Sequence, residues 1–179
     1  MRTIAAILAG AALLAGAEGV LPAPYAAAAP GGDSRAVSPA RSAWEKFRKL
    51  EGTWVGESTK GWRESVSFRM IAGGSALVET SFDAHPKETM LTVFHLDGED
   101  LVLTHYCVAK NQPRLRATAF SEDGATVTFT FDGGGNLADR NRGHMDQAVF
   151  RFESPRRVST RWTWYQNGAE QWLEEIHLE

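Results

Sequence analysis

The side chains best equipped for chemistry cluster in one short stretch of this chain. His105 and Cys107 stand two residues apart, Asn111, Gln112 and Arg114 follow directly, and His85 and His144 lie further away in sequence. Alternate residues of a strand project to the same side, so His105 and Cys107 share a face if this stretch is extended. Three chemistries fit the set. Imidazole and thiolate from His85, His105, Cys107 and His144 are ligand types for zinc or copper, although the four residues lack any local ligand spacing. His105 beside Cys107 has the residue types of a base and a nucleophile, but such a pair needs hydrogen-bond geometry and a third, orienting group. The Arg114 guanidinium and the Asn111 and Gln112 amides suit a third role, with His105 and His144 beside them: the polar rim of a noncovalent pocket, Arg114 meeting an anion and the amides orienting a carbonyl. Against all three stands the plain reading of His105 as a sheet residue satisfied by a neighbour or by water. No motif names a reaction, so binding is expected ahead of catalysis.

The elements that must position these groups read as strands. From Thr53 to Leu178 about ten short extended segments follow one another, bounded by Gly, Asn and Asp. Their expected spans are 53–58, 62–70, 75–82, 89–96, 101–108, 114–121, 126–131, 144–153, 158–166 and 170–178. Gly73-Gly74, Asp97-Gly98, Asp123-Gly124 and Asn167-Gly168 supply turn residues that tolerate positive φ. Val127, Phe129 and Phe131 alternate with threonines, and Trp162 and Trp164 share a face opposite Arg161 and Thr163. One apolar and one polar face mark an antiparallel sheet, and no crossover helix is available for a parallel one. Before the first strand, Trp44, Phe47 and Leu50 form one stripe of a short helix over 40–50, entered through Ser38-Pro39. The expected fold is all-β: an up-and-down antiparallel barrel of about ten strands whose N-terminal helix plugs one end.

Direction then separates two ends. The floor receives the helix and the turns near 72–74, 97–99, 123–124 and 154–155. The mouth receives the loops near 60–61, 84–87, 110–113, 133–143 and 167–168, the longest and most glycine-rich among them. Long loops at one barrel end commonly line a site. His105, Cys107, Asn111, Gln112, Arg114 and His144 are expected to gather there, with Trp162 and Trp164 pointing inward as aromatic lining. Glu64, Glu79 and Glu174 also fall on strands with apolar neighbours. An inward carboxylate needs a partner or a raised pKa, and Arg69 or Arg116 is the expected partner.

Composition excludes several classes. The net charge is -3, with 19 Lys and Arg against 22 Asp and Glu, which offers no general basic face to nucleic acid. Arg140 with Arg142, and Arg156 with Arg157, read as solvated surface charge. Cys107 is the only cysteine, so no internal disulfide is available. Arg2, the apolar run from Ile4 to Ala17 and the small residues Ala26-Ala27-Ala28 read as a secretory signal peptide over 1–28, cut after Ala28. Glu18 interrupts the run before it is long enough to span a membrane. A disordered linker is expected over 29–39 and the barrel over 40–179, free in the periplasm or the medium, with a small apolar or amphipathic molecule as partner.

Leu50-Glu51-Gly52-Thr53-Trp54 resembles the Gly-x-Trp opening of lipocalin-like (calycin) barrels, in which the Trp packs across the floor. The longer run Gly52 to Gly56 is similar to the opening of nitrobindin-like haem-binding barrels. Thr92 to Gly98, Leu101 to Cys107 and Asn111-Gln112-Pro113-Arg114 resemble an uncharacterised bacterial family of lipocalin-like proteins, and the likeness extends over nearly all of the chain beyond the signal segment. The lipocalin resemblance implies a basic residue stacked on Trp54 late in the last strand; 171–179 holds no Arg or Lys, and Arg161 is the nearest substitute. The nitrobindin resemblance implies haem ligated by a His near the C-terminus, for which His177 is the candidate.

Overall fold

The computed structural model describes residues 37–85 and 88–179, and side chains except those of 82–85 and 88. The expected signal segment and most of the expected linker lie outside these residues. A helix, α1 (Pro39–Arg48), is followed by ten strands: β1 (Gly52–Ser58), β2 (Arg63–Ile71), β3 (Ala76–His85), β4 (Glu88–Asp97), β5 (Asp100–Tyr106), β6 (Gln112–Phe120), β7 (Thr126–Gly135), β8 (His144–Ser154), β9 (Arg157–Gln166) and β10 (Ala169–Leu178). Each strand pairs antiparallel with its sequence neighbour, and β1 pairs with β10 to close the barrel. The all-β up-and-down barrel read from the sequence is the fold observed, and it is consistent with a calycin-type fold in general.

The helix starts where Ser38-Pro39 indicates, with Ser38 as its cap and Pro39 in the first position, and it ends at Arg48, short of the expected Leu50. The Ser38 hydroxyl accepts a hydrogen bond from the Arg41 amide at 3.3 Å. Ala40, Ala43, Trp44 and Phe47 are the buried face. Phe47 sits at the centre of an aromatic cluster, with ring centroids 4.9 Å from Phe94, 5.1 Å from Phe150, 5.2 Å from Phe152 and 5.9 Å from Phe129. Two polar ties pin the helix to the floor turns: Arg41 pairs with Glu99 at 3.0 Å, and the Lys46 ammonium donates to the Gly124 carbonyl. The floor half of the barrel is therefore solid, and free interior space is confined to the half nearer the mouth.

Trp54 donates from its indole N–H to the Leu50 carbonyl at 2.7 Å, tying the first strand to the end of the helical segment. Arg161, the expected stacking partner of Trp54, is exposed on the barrel's outer face instead. Closure itself is a tight seam. An added Cβ on Gly56 would lie 1.9 Å from the His177 carbonyl oxygen, so only glycine lets β10 approach β1 here.

The strand boundaries shift from the expected spans, and two of the shifts reshape the mouth. β5 stops at Tyr106 because the chain turns at Cys107, where the Lys110 amide donates back to the Cys107 carbonyl at 2.9 Å. β7 runs on through Gly135, since Gly134 and Gly135 pair with Pro113 and Gln112, and the long mouth loop shrinks to 136–143.

Replacing Phe47 by Ala should cost about 3–5 kcal/mol of unfolding free energy, read from the midpoint of chemical denaturation. Gly56→Ala should be similarly severe, because the obstruction is backbone and cannot move aside; a change under about 1 kcal/mol would contradict the tight seam.

Candidate functional site

Above the aromatic floor the interior divides into two unlike walls. On one side, register aligns Glu79 of β3 with Thr92 of β4, and Thr92 with His105 of β5. Glu64 of β2 and Glu174 of β10 continue this polar wall. The facing wall is apolar: Trp162, opposite Glu174 on β9, is followed in register by Ala148 and Phe129. Between them lies a chamber of about 30 Å³ lined by Glu64, Glu79, Thr92, His105, Trp162 and Glu174, with Ser81, Met90, Met145 and Ile176 completing it. It has room on the order of one water-sized group.

Met90, Met145 and Glu174 also line a second, larger cavity at the mouth, of about 570 Å³. Trp164 and Trp172 form its main wall, stacked with centroids 5.9 Å apart and ring planes 3° from parallel. Trp62, Cys107 and Val108 extend it, and the Lys60 ammonium lies 5.7 Å from the Trp172 ring centroid. Gly143 seats Trp164 from behind, since a Cβ there would fall 2.3 Å from the indole. The two cavities share flexible methionine side chains, which repack at small cost. A wider groove of about 1000 Å³ crosses the β1–β10 seam on the outside, walled by Glu57, Arg63 and Arg157 and bordered by the buried Glu64 and Leu178. The interior pair is the better candidate because it combines aromatic walls with buried polar groups.

The chamber's electrostatics follow from burial. Glu64 is 3% exposed and Glu79 4% exposed. Loss of hydration, and then the nearby Glu174, push the Glu64 carboxyl up to about 7. Loss of hydration, reinforced by Glu64, pushes Glu79 up to about 8, although a hydrogen bond from Thr92 opposes the shift. Burial alone takes His105 down to about 4, so its ring is neutral at physiological pH. Neither oxygen of Glu64 meets a hydrogen-bond partner, nor does Oε2 of Glu79 or Nε2 of His105. His105 Nδ1 lies 3.0 Å from the Thr92 hydroxyl, which completes a relay from Glu79 through Thr92 to His105. When Glu79 is protonated it can donate to Thr92, which donates to Nδ1, leaving Nε2–H as a donor into the chamber. When Glu79 is ionised the relay reverses, and Nε2 becomes an acceptor.

The residues singled out in the sequence do not share one place. His105 and Trp162 line the chamber, with ring centroids 5.1 Å apart, and Cys107 and Trp164 line the mouth cavity. Asn111 is buried beside the mouth but bridges loops, donating to the Gly143 carbonyl at 2.8 Å, while Gln112 opens β6 next to Gly135. Arg114 and His144 join neither cavity. Arg114 lies on the outer face and pairs with Asp97 at 2.9 Å, because it alternates with the inward Pro113 and Leu115. His144 is fully buried in a separate cluster between Phe131 and Tyr165, where Arg140 approaches its Nε2 at 2.8 Å and Asp146 lies at 3.4 Å. The expected meeting of His105, Arg114 and His144 at one rim does not occur.

The expected arginine partners of the inward glutamates also lie elsewhere. Arg69 is exposed, and Arg116 pairs with Asp132 at 3.0 Å and with Asp100 on the outer face. Thr92, Met90, Met145 and Trp172 were not singled out from the sequence; the inward parity of Thr92 with Phe94 and of Trp172 with Glu174 was the available signal. Among the described residues no group of three His, Cys, Asp or Glu is placed to hold a metal ion. The His85 side chain lies outside the described residues. Burial raises the Cys107 thiol, which disfavours the thiolate a nucleophile needs.

The site also bears on haem. His177 is 56% exposed on the outer face, 3.8 Å from Glu175, and cannot reach the interior. His105 faces a chamber too small for a porphyrin edge, with its Nδ1 already engaged by Thr92. The described residues do not fit a haem held by either histidine. No protein-family model matches the chain, and no curated protein matches it. What the fold and site define is a closed antiparallel barrel whose open half is consistent with a small-molecule cavity.

Because folding raises the Glu64 and Glu79 pKa values above their unfolded ones, the folded state binds more protons and stability falls as pH rises toward about 8. The His105 shift acts in the opposite sense, but only below its unfolded value of 6.5. Thermal melts should therefore show a stability loss of about 3 kcal/mol between pH 6 and pH 9. Glu79→Gln should flatten that slope and raise the melting temperature at pH 9; an unchanged slope would show that the carboxyl is not buried as described.

Proposed function

We propose that this chain is an exported lipocalin-like barrel that binds a small, partly apolar molecule in its mouth half. The apolar part lies against Trp164 and Trp172, and a polar group reaches past Met90 and Met145 toward the buried carboxylates. The observation that carries this reading is the aromatic mouth cavity with partnerless atoms of Glu64, Glu79 and His105 directly beneath it. Its volume of about 570 Å³ suits a single small molecule. A barrel needing only mechanical stability would gain by filling this space with aliphatic side chains, as the floor half does with phenylalanine.

Export is supported by Arg2, the apolar run and the alanine-rich cleavage pattern near Ala28. Among the described residues no helix is long and apolar enough to cross a membrane. Lipocalin-like kinship is supported by Gly52-Thr53-Trp54 at the start of β1, with Trp54 anchored at the floor.

The protein recovered from the host's medium or periplasm, denatured and analysed by mass spectrometry, should release a defined small molecule in near-stoichiometric amount. The Trp164→Ala, Trp172→Ala double variant should carry at least about tenfold less of it. Protein that is uniformly empty, or equal loading of the double variant, would contradict the binding role.

A further inference from the structure

We propose that the inner chamber is the seat of a primary ammonium group, so that the molecule bound by this barrel is an amphipathic amine with its apolar part in the tryptophan-lined mouth. This deepens the binding reading above and rests on it.

The chamber is defined by what faces it. β2 contributes Glu64, β3 Glu79 and Ser81, β4 Met90 and Thr92, β5 His105, β8 Met145, β9 Trp162, and β10 Glu174 and Ile176. The titratable groups are three carboxyls and one imidazole; among the described residues no Lys or Arg lines the chamber. The nearest cation toward the mouth is Lys60, which lies over Trp172. The Glu64 and Glu79 carboxyls therefore meet no Lys or Arg within the chamber.

The imidazole on the same wall points the same way. His105 is 5% exposed, neutral and held by Thr92, and its Nε2 faces the chamber without a partner. Once Glu79 is ionised, Thr92 donates to its carboxylate and His105 donates from Nδ1 to Thr92. Nε2 is then a lone-pair acceptor. The chamber now presents acceptors from Glu64, Glu79 and His105. A group with several N–H donors and a positive charge satisfies that arrangement, and –NH₃⁺ has three. A carboxylate or phosphate would meet only like charge and acceptors.

Size narrows the class further. A volume of about 30 Å³ admits a group no larger than an ammonium, and a trimethylammonium is excluded. The stacked indoles and methionines of the mouth accept a ring or an alkyl chain on the same nitrogen. The ammonium also settles the protonation of the empty site. It favours ionised Glu64 and Glu79, so binding releases protons at neutral pH. Affinity then rises as pH rises through the range in which the empty carboxyls titrate, while an aliphatic amine stays charged to about pH 10.

The test uses four matched probes: 2-phenylethylamine, 2-phenylethanol, 3-phenylpropionate and trimethyl(2-phenylethyl)ammonium. Binding to the intact barrel is followed by tryptophan fluorescence and by calorimetry in two buffers of different ionisation enthalpy. The amine should bind at least about tenfold more tightly than the alcohol at pH 8, tighten between pH 6 and pH 8, and release protons. The carboxylate and the trimethylammonium should bind more weakly than the alcohol. Glu79→Gln and Glu64→Gln should remove most of the preference for amine over alcohol. Both variants remove a buried ionisable carboxyl and should fold at least as well as the parent at pH 8, and the pH profile of the unaltered protein gives a reading that needs no variant. Equal binding of amine and alcohol, or a preference untouched in both variants, would overturn the ammonium seat yet leave the aromatic cavity standing. Binding of none of the probes would overturn the ammonium seat, and an empty protein in the mass-spectrometric assay would remove the cavity reading with it.

Discussion

Three glutamates and a histidine cannot all stay charged inside a barrel that excludes water. This constraint shapes the mouth half of the molecule. Each buried carboxylate must be protonated, matched by a cation or hydrogen-bonded, and Glu64 has no hydrogen-bond partner for either oxygen. The protein accommodates the conflict by letting Glu64 and Glu79 take up protons near neutrality and by keeping His105 neutral. The residual tension is what makes the chamber receptive, because a bound cation relieves what the fold alone does not.

The rest of the architecture makes that tension sustainable. Phe47, Phe94, Phe129 and Phe150 are each buried without residual exposure and fill the floor half. Their packing stabilises the fold independently of the mouth. Gly56 lets β1 and β10 close the sheet, so no exposed edge is left to fray beside the chamber. The helix contributes twice, through Phe47 in the core and through Arg41 and Lys46 on the floor turns. Stability and binding are thereby separated along the barrel axis: one end is packed, the other is left open and polar.

Much of this was legible in the residues. Alternation in Val127-Phe129 and Trp162-Trp164, turn residues at regular intervals and the Trp44-Phe47 stripe yield ten strands, a plug and a floor in nearly the right places. The site was harder to read. His105, Cys107, Trp162 and Trp164 could be placed by parity on their strands. Arg114 could not, because its placement depends on the pleat next to Pro113 and on Asp97 and Asp132 across the outer surface. His144 begins a strand with a bulge between Met145 and Gln147, which breaks the simple alternation and sends its ring into a cluster of its own. Glu64, Glu79 and Glu174 carried the right warning of inward carboxylates, yet charge balance pointed to Arg69 and Arg116. Both arginines sit outside, since an outward cation hydrated or paired at the surface costs less than a buried one.

Glu64 and Glu79 are buried at the chamber and hold their protons to near-neutral pH. Direct titration of the glutamate side-chain carboxyls by ¹³C NMR in the empty protein, with Glu64→Gln and Glu79→Gln as assignments, tests it most directly. The account predicts two resonances with midpoints near 7 and 8, well separated from the surface glutamates. If every glutamate titrates in the ordinary carboxylate range, the chamber is wet or its carboxyls point elsewhere, and the account fails.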